Sequence, residues 1–334
     1  MRFLKRLFYR KPEFIYKPDN MSILIIGSNK KNQGYYRDLE LLRQTCGVKT
    51  GEDFDYESYD WDIRRVINDI FGSTPPQIIY IHYVRHYTHR IKNLDKTGIP
   101  IIGFVGDPQD FIIDNPVNQQ KKEFFVKNNV TTYFTIAPKA NEMVYEGLGT
   151  KSIRIINSHL AADPNIFKPM GMKRKYDIAS MGAHTDKKYP FRRLVREHLE
   201  SQKDLKFYKR QRVKGHSNDA ERFAKLLNRF KSCFTCASIY GYTVAKYYEI
   251  PACGTLLFGE KTDLLDEFGY IDGINFVEVT PENFKDKFHY YLREVKSEER
   301  ESIAEAGRRL VLSRHIWEHR IREVVKEIKE IVGG

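Results

Sequence analysis

The chemistry-bearing residues of this sequence concentrate between Tyr240 and Phe258. Gly241, Tyr242 and Thr243 read as a loop, and a short helix should follow it until Pro251 and Gly254 break it. The apolar run from Thr255 to Phe258 then reads as a buried strand. A loop that opens a helix presents backbone N–H groups, which suit an anionic phosphate. Glu249 falls a little under two turns beyond Thr243. An ionised carboxylate accepts two hydrogen bonds, as the diol of a ribose requires. Phosphate donors and a diol acceptor on one element are what a sugar nucleotide needs.

Two further candidates sit at predicted strand ends. Gln77–His82 reads as a strand with His82 at its C-terminal end, the edge on which open α/β sheets bind ligands. The run Gly98–Pro108 reads as another strand, with Asp107 just past its end. A carboxylate there is placed to take a proton from a hydroxyl in a cleft, and it equally suits a turn before Pro108. His86 and His89 are weaker candidates. Cys233 and Cys236 form a CxxC, but no further pair of ligands at zinc-site spacing is obvious, so burial in a strand is expected. Asp60 and Asp62 have the spacing of a metal-binding acidic pair but precede a helix, so no metal site is expected.

The elements that must position these residues alternate strand and helix. Ser22–Ser28 is a continuous apolar run ending at a glycine turn, as in a buried parallel strand, and Gly34 lies in the loop before a helix. This Rossmann-like opening lacks a GxGxxG, so no dinucleotide site is indicated. Asp60–Phe71 is amphipathic. Strands are expected over Thr131–Ile136, Ser152–Ile156, Tyr176–Gly182, Leu205–Tyr208, Ser232–Ala237 and Gly273–Val277, with helices between. The alternation on both sides of residue 165 implies an α/β chain with two Rossmann-like halves facing a cleft. We divide it into a basic segment 1–20, a first domain 21–165, a second domain 166–312 and a C-terminal helix 313–334.

With 334 residues the chain is long enough for two such domains. No run of apolar residues is long enough to span a membrane. Residues 1–11 are basic with scattered apolar residues, unlike a secretory leader. On a helix they would offer one apolar and one basic face, so peripheral contact with an anionic membrane is an open alternative to simple packing. Four irregularly spaced cysteines fit a reducing, cytoplasmic location. A formal net charge of +12 favours anionic partners: nucleotide sugars, anionic lipid surfaces or nucleic acid.

The segment Tyr248-Glu-Ile-Pro-Ala-Cys-Gly-Thr-Leu-Leu257 resembles the Glu-Ala-x-Ala-x-Gly-x-Pro-Val segment of GT-B glycosyltransferases of the family-4 type. It is closer still to the spore-maturation (CgeB-like) branch, and Asp163, Phe167 and Pro169 match the family's domain-crossing motif. The resemblance covers residues 150–325 well and 20–150 loosely. It implies that Glu249 holds the donor ribose, that Gly34 faces the cleft, and that His82 and Asp107 lie on the acceptor side. It also implies cations for the departing diphosphate beyond Gly182: Lys188 matches the family lysine, Ala183 replaces the family arginine, and Arg192 or Arg193 matches an arginine of the CgeB-like branch. A second family glutamate is replaced by Gly241. Leaving-group charge needs such cations whatever the lineage, and a basic helix start is mildly unfavourable unless an anion is near.

The expected function is transfer of a sugar from a nucleotide-diphosphate donor, the substrate, with no further cofactor or metal and with retention of configuration. The acceptor is unknown: glycan, protein, lipid or nucleic acid. Two other readings are a transferase acting on nucleic acid such as modified phage DNA, motivated by the charge, and a binding protein without catalysis, motivated by Gly241 and Ala183.

Overall fold

A computed structural model describes residues 19–26, 36–49, 55–82, 88–136, 138–182, 187–209, 219–293 and 296–333. Two parallel sheets organise them. The first contains β1 (Asp19–Ile26), β2 (Cys46–Lys49), β3 (Ile78–Ile81), β4 (Ile101–Val105), β5 (Thr132–Thr135) and β6 (Arg154–Asn157), in the order β2-β1-β3-β4-β5-β6. The second contains β7 (Tyr176–Ser180), β8 (Phe207–Tyr208), β9 (Phe230–Thr235), β10 (Leu256–Gly259) and β11 (Val277–Glu278), in the order β11-β10-β9-β7-β8. Strands such as β3 and β10 are buried at every position, because helices cover both faces of a parallel sheet.

The helices of the first half are α1 (Tyr36–Thr45), α2 (Ile63–Phe71), α3 (Pro116–Lys127) and α4 (Pro138–Leu148). Asp62 caps α2 by accepting from the Arg64 N–H, and Asp60 pairs with Arg65, so both acids of the Asp-Trp-Asp run serve the helix start. In the second half are α5 (Pro190–Ser201), α6 (Ala220–Leu227), α7 (Lys246–Ala252), α8 (Phe284–Tyr291) and α9 (Ser297–Arg314), followed by α10 (Trp317–Gly333). The helix α10 packs against α1 of the first half. Its buried stripe, Trp317, Ile321, Val324, Val325 and Ile328, follows helical spacing and shares one core with Leu41, Leu42 and Tyr80.

Two segments connect the halves side by side. The Ala162 N–H donates to the His315 carbonyl at 3.0 Å, and the Trp317 N–H donates to the Ala162 carbonyl at 3.2 Å. Past this crossing, Arg174 ties the connection to the second half. Its guanidinium donates to the carbonyls of Phe230, Cys253 (3.0 Å) and Gly254 (2.7 Å) and to Thr255 Oγ1 (2.7 Å). These acceptors include the C-terminal turn of α7 and the start of β10, where free carbonyls attract a cation. The expected strand over Gly273–Val277 is shortened to β11, because Gly273 adopts φ +72° and the Asn275 side chain accepts from the Ile271 N–H at 2.9 Å.

Arg174→Met keeps the aliphatic stem and deletes all four hydrogen bonds. It should lower stability by about 3 kcal/mol, read by urea denaturation; an unchanged midpoint would remove Arg174 as the anchor of α7.

Candidate functional site

The C-terminal ends of β7, β9 and β10 converge around α7. Gly182, just past β7, has φ +118°, and a Cβ there would lie 2.6 Å from Arg192 Nη1 and 3.4 Å from Lys246 Cε. The positive φ favours glycine, the Arg192 guanidinium fills the space where a side chain would begin, and Lys246 lies in van der Waals contact beside it. Arg192 enters from the first turn of α5 and is 2% exposed. It donates to the Cys236 carbonyl at 3.1 Å, and its guanidinium lies 4.0 Å from the centre of the Tyr189 ring. Arg193, one position on, points elsewhere: it is exposed and pairs with Glu197 at 2.6 Å. Lys188 is exposed in the preceding turn, where its carbonyl accepts from the Ile239 N–H at 3.0 Å.

Lys246 is the first residue of α7, and Glu249 follows one turn later on the same side. Both keep part of their surface open yet sit in dense protein. Burial pushes the Glu249 carboxyl up to about 7, opposed by the Lys246 ammonium. Burial lowers the Lys246 ammonium, opposed by Glu249 and reinforced by Arg192. Glu260, at the end of β10, is raised by burial and restrained by the Ala237 N–H and by Arg192. The N-terminus of α7 carries no side-chain cap.

The loop before α7 uses its side chains on the protein. Thr243 Oγ1 shares a hydrogen bond of 2.5 Å with Thr262 Oγ1, and the Tyr242 hydroxyl donates to Gln109 Oε1 of the first half. Gly241 has φ +76°, and a Cβ there would lie 3.0 Å from Lys139 Nζ. Lys139, at the start of α4, pairs across the cleft with Asp263 at 2.8 Å. The amino group of Lys139 thus occupies the space in which a side chain at position 241 would begin.

On the facing sheet, Asp107 stands exposed past β4, and its Oδ1 accepts from Gln109 Nε2 at 3.1 Å. His82 ends β3 but is 1% exposed, stacked on Phe104 with ring centres 5.6 Å apart and edge-on to Tyr80. It belongs to the floor beneath the cleft. His89 is exposed in a short turn over Thr88–Arg90, while Gly34 and His86 fall outside the described residues. Cys233 and Cys236 are buried free thiols that burial pushes up to about 12 and about 11, which fits core residues and not a reactive pair.

The structure therefore brings Gly182, Arg192, Lys246 and Glu249 together on the second half, with Asp107 and Gln109 opposite. Sequence reasoning missed Lys246, Gln109 and Lys139. Lys246 carried a signal, a cation three residues before Glu249 on a helix; the other two acquire their places only through the packing of the halves.

The raised Glu249 value has a sign that can be measured. The native protein holds a proton that the unfolded chain releases, so stability falls as pH rises from about 4.5 to about 7 and the penalty is full above that. Glu249→Gln removes the penalty. By denaturant unfolding, its stability relative to the parent should rise on the order of 2 kcal/mol between about pH 5 and about pH 8; a pH-independent difference would place Glu249 at an ordinary value.

Comparisons with known proteins agree with this architecture. Residues 165–326 match the sequence model of a family described as glycosyl transferase-like. No curated protein matches the chain. Among solved structures, a sucrose-phosphate synthase from Thermosynechococcus elongatus superposes with a TM-score of 0.60 at 10% identity, covering 94% of this chain and 100% of the other. A glycosyltransferase from Rickettsia africae gives 0.57 at 11% identity, covering 94% and 99%. HepE from Anabaena, in complex with UDP-glucose, gives 0.59 at 9% identity, covering 93% and 100%. The chain has the GT-B fold of these enzymes, and the sequence match to the glycosyl transferase-like model lies on its second half.

Proposed function

We propose that the protein is a glycosyltransferase that takes its sugar from a nucleotide-diphosphate donor bound on the second half of the chain. The observation that carries this reading is the grouping of Arg192 and Lys246 against Gly182, with Glu249 one turn along α7. Two partly desolvated cations that converge on one glycine offer their charge to a diphosphate. The carboxylate is spaced to accept from a ribose diol, and ionising it improves its balance with Lys246.

In the reaction, the bond from the anomeric carbon to the β-phosphate oxygen breaks, and its electron pair leaves with the nucleoside diphosphate. Arg192 and Lys246 stabilise the charge that develops there, with exposed Lys188 at the rim. The acceptor hydroxyl forms the new glycosidic bond and gives its proton to Asp107 across the cleft. The loop of Gly241, Tyr242 and Thr243 shapes the wall of the site through its contacts with Lys139, Gln109 and Thr262. The known proteins with this fold include one described with UDP-glucose, which makes uridine the first base to try. Retention of configuration, which the family-4 resemblance implies, requires the acceptor hydroxyl to attack on the face from which the diphosphate leaves, and is read by NMR of the product anomer. The resemblance to the CgeB-like branch is closest in the run from Tyr248 to Leu257.

The test is a thermal-shift screen with UDP, GDP, ADP and their glucose conjugates. One nucleotide should raise the melting temperature, and Glu249→Ala and Lys246→Met should each abolish the shift. No shift with any of them would sink the donor site. Since the ionised form of Glu249 is the diol acceptor, affinity for that nucleotide should rise about tenfold between about pH 6 and about pH 8 as the carboxyl titrates near 7.

A further inference from the structure

A chain of hydrogen bonds crosses the cleft and ends on Asp107. The Tyr242 hydroxyl, on the second half, donates to Gln109 Oε1 on the first. The same amide donates through Nε2 to Asp107 Oδ1 at 3.1 Å. Tyr242 and Gln109 are each 8% exposed, whereas Asp107 is exposed. A carboxylate only accepts, so the amide turns its NH₂ to Asp107 and its oxygen to the Tyr242 phenol, which donates to it. Asp107 sets the direction of the chain, and Tyr242 anchors its far end on the second half.

The surroundings single out Asp107. The neighbouring acid of the same turn, Asp110, is committed to Lys121 at 3.3 Å. Tyr242 is itself held in place: Gly241, at φ +76°, bends the loop so that Tyr240 stacks on Tyr242 with ring planes 7° apart. Burial first, and then the Asp107 carboxylate, raise the Tyr242 phenol, which keeps it a donor at any working pH.

We propose that Tyr242 and Gln109 are positioning residues that aim the Asp107 carboxylate at the acceptor hydroxyl, so that Asp107 is competent only when the donor half of the chain is docked against it. This rests on the proposed glycosyl transfer with Asp107 as base. It gives Tyr242 a role distinct from donor binding. The hydroxyl does not reach for the nucleotide but reports the position of the donor half to the carboxylate opposite.

The test is release of nucleoside diphosphate from UDP-, GDP- and ADP-glucose by the full chain, with water in place of the acceptor hydroxyl. Tyr242→Phe deletes one oxygen and keeps the ring; Gln109→Met keeps the length and deletes both polar atoms. Each should lower kcat about tenfold and leave the donor KM within about twofold. In an Asp107→Asn background, Tyr242→Phe should change kcat less than about twofold, since the group it aims is gone. Asp263→Asn cuts the ion pair with Lys139 across the cleft and should lower kcat much less.

Inactive Asp107→Asn with Tyr242→Phe and Gln109→Met at parental kcat would overturn the positioning role and leave the base in place. Equal losses in Asp263→Asn and Tyr242→Phe would show that docking alone matters, and would overturn it also. Full activity in Asp107→Asn would overturn the base, and no release from any donor would overturn the proposed transferase; either result takes this inference with it.

Discussion

The geometry of the site depends on how α7 is held, and Arg174 holds it. A seven-residue helix that contains Pro251 has little intrinsic stability. Its far end meets a guanidinium that satisfies the carbonyls of Cys253 and Gly254 and also reaches β9 through Phe230 and β10 through Thr255. On its other side, the Tyr270 hydroxyl donates to the Tyr247 carbonyl at 2.6 Å, and the Tyr247 hydroxyl donates to the Glu260 carbonyl at 2.5 Å. The helix is fixed by the satisfaction of its own polar groups, so Lys246 and Glu249 project from a rigid support.

That rigidity explains how charges tolerate their surroundings. Arg192 is buried against the Tyr189 ring and the Cys236 carbonyl. Lys246 faces the reluctant carboxyl of Glu249 one turn along the helix. Groups free to move would turn toward water; here Gly182 on one side and Tyr189 on the other confine them. Cations confined in this way need no rearrangement to meet an anion, the condition for electrostatic preorganisation.

The fold was legible where burial writes a continuous apolar pattern. The runs at β1, β3 and β10 announce parallel strands, and the alternation around residue 165 announces two α/β halves. Less regular elements escaped. The helix α3 buries only Asn118, Phe124 and Phe125 while Val117 is exposed, so it shows no clean helical period, and β2 is a four-residue edge strand. In the site, the Glu249 stretch and Gly182 stood out because glycine and carboxylate have few other reasons to occupy such places. The choice between Arg192 and Arg193 is a matter of helix phase, one turning inward and the other outward, and phase at a helix start is not fixed by composition. Gln109 and Lys139 depend on contacts between distant segments, which local sequence does not encode.

The long reach of α10 bears on how the molecule comes into being. Its apolar stripe completes the core around α1, and Arg154 at the edge of the first sheet pairs with Glu327 on the same helix at 2.9 Å. A ribosome delivers α10 only after the entire second half has been made. During that interval Leu41, Leu42 and Tyr80 lack part of their cover, although all six strands of the first sheet are already made. The earlier half can pair its strands as it emerges, but its packing around α1 is closed only by the last helix. The nascent first half stays incomplete until the later half has emerged, and during translation it is the part of the molecule most in need of a chaperone.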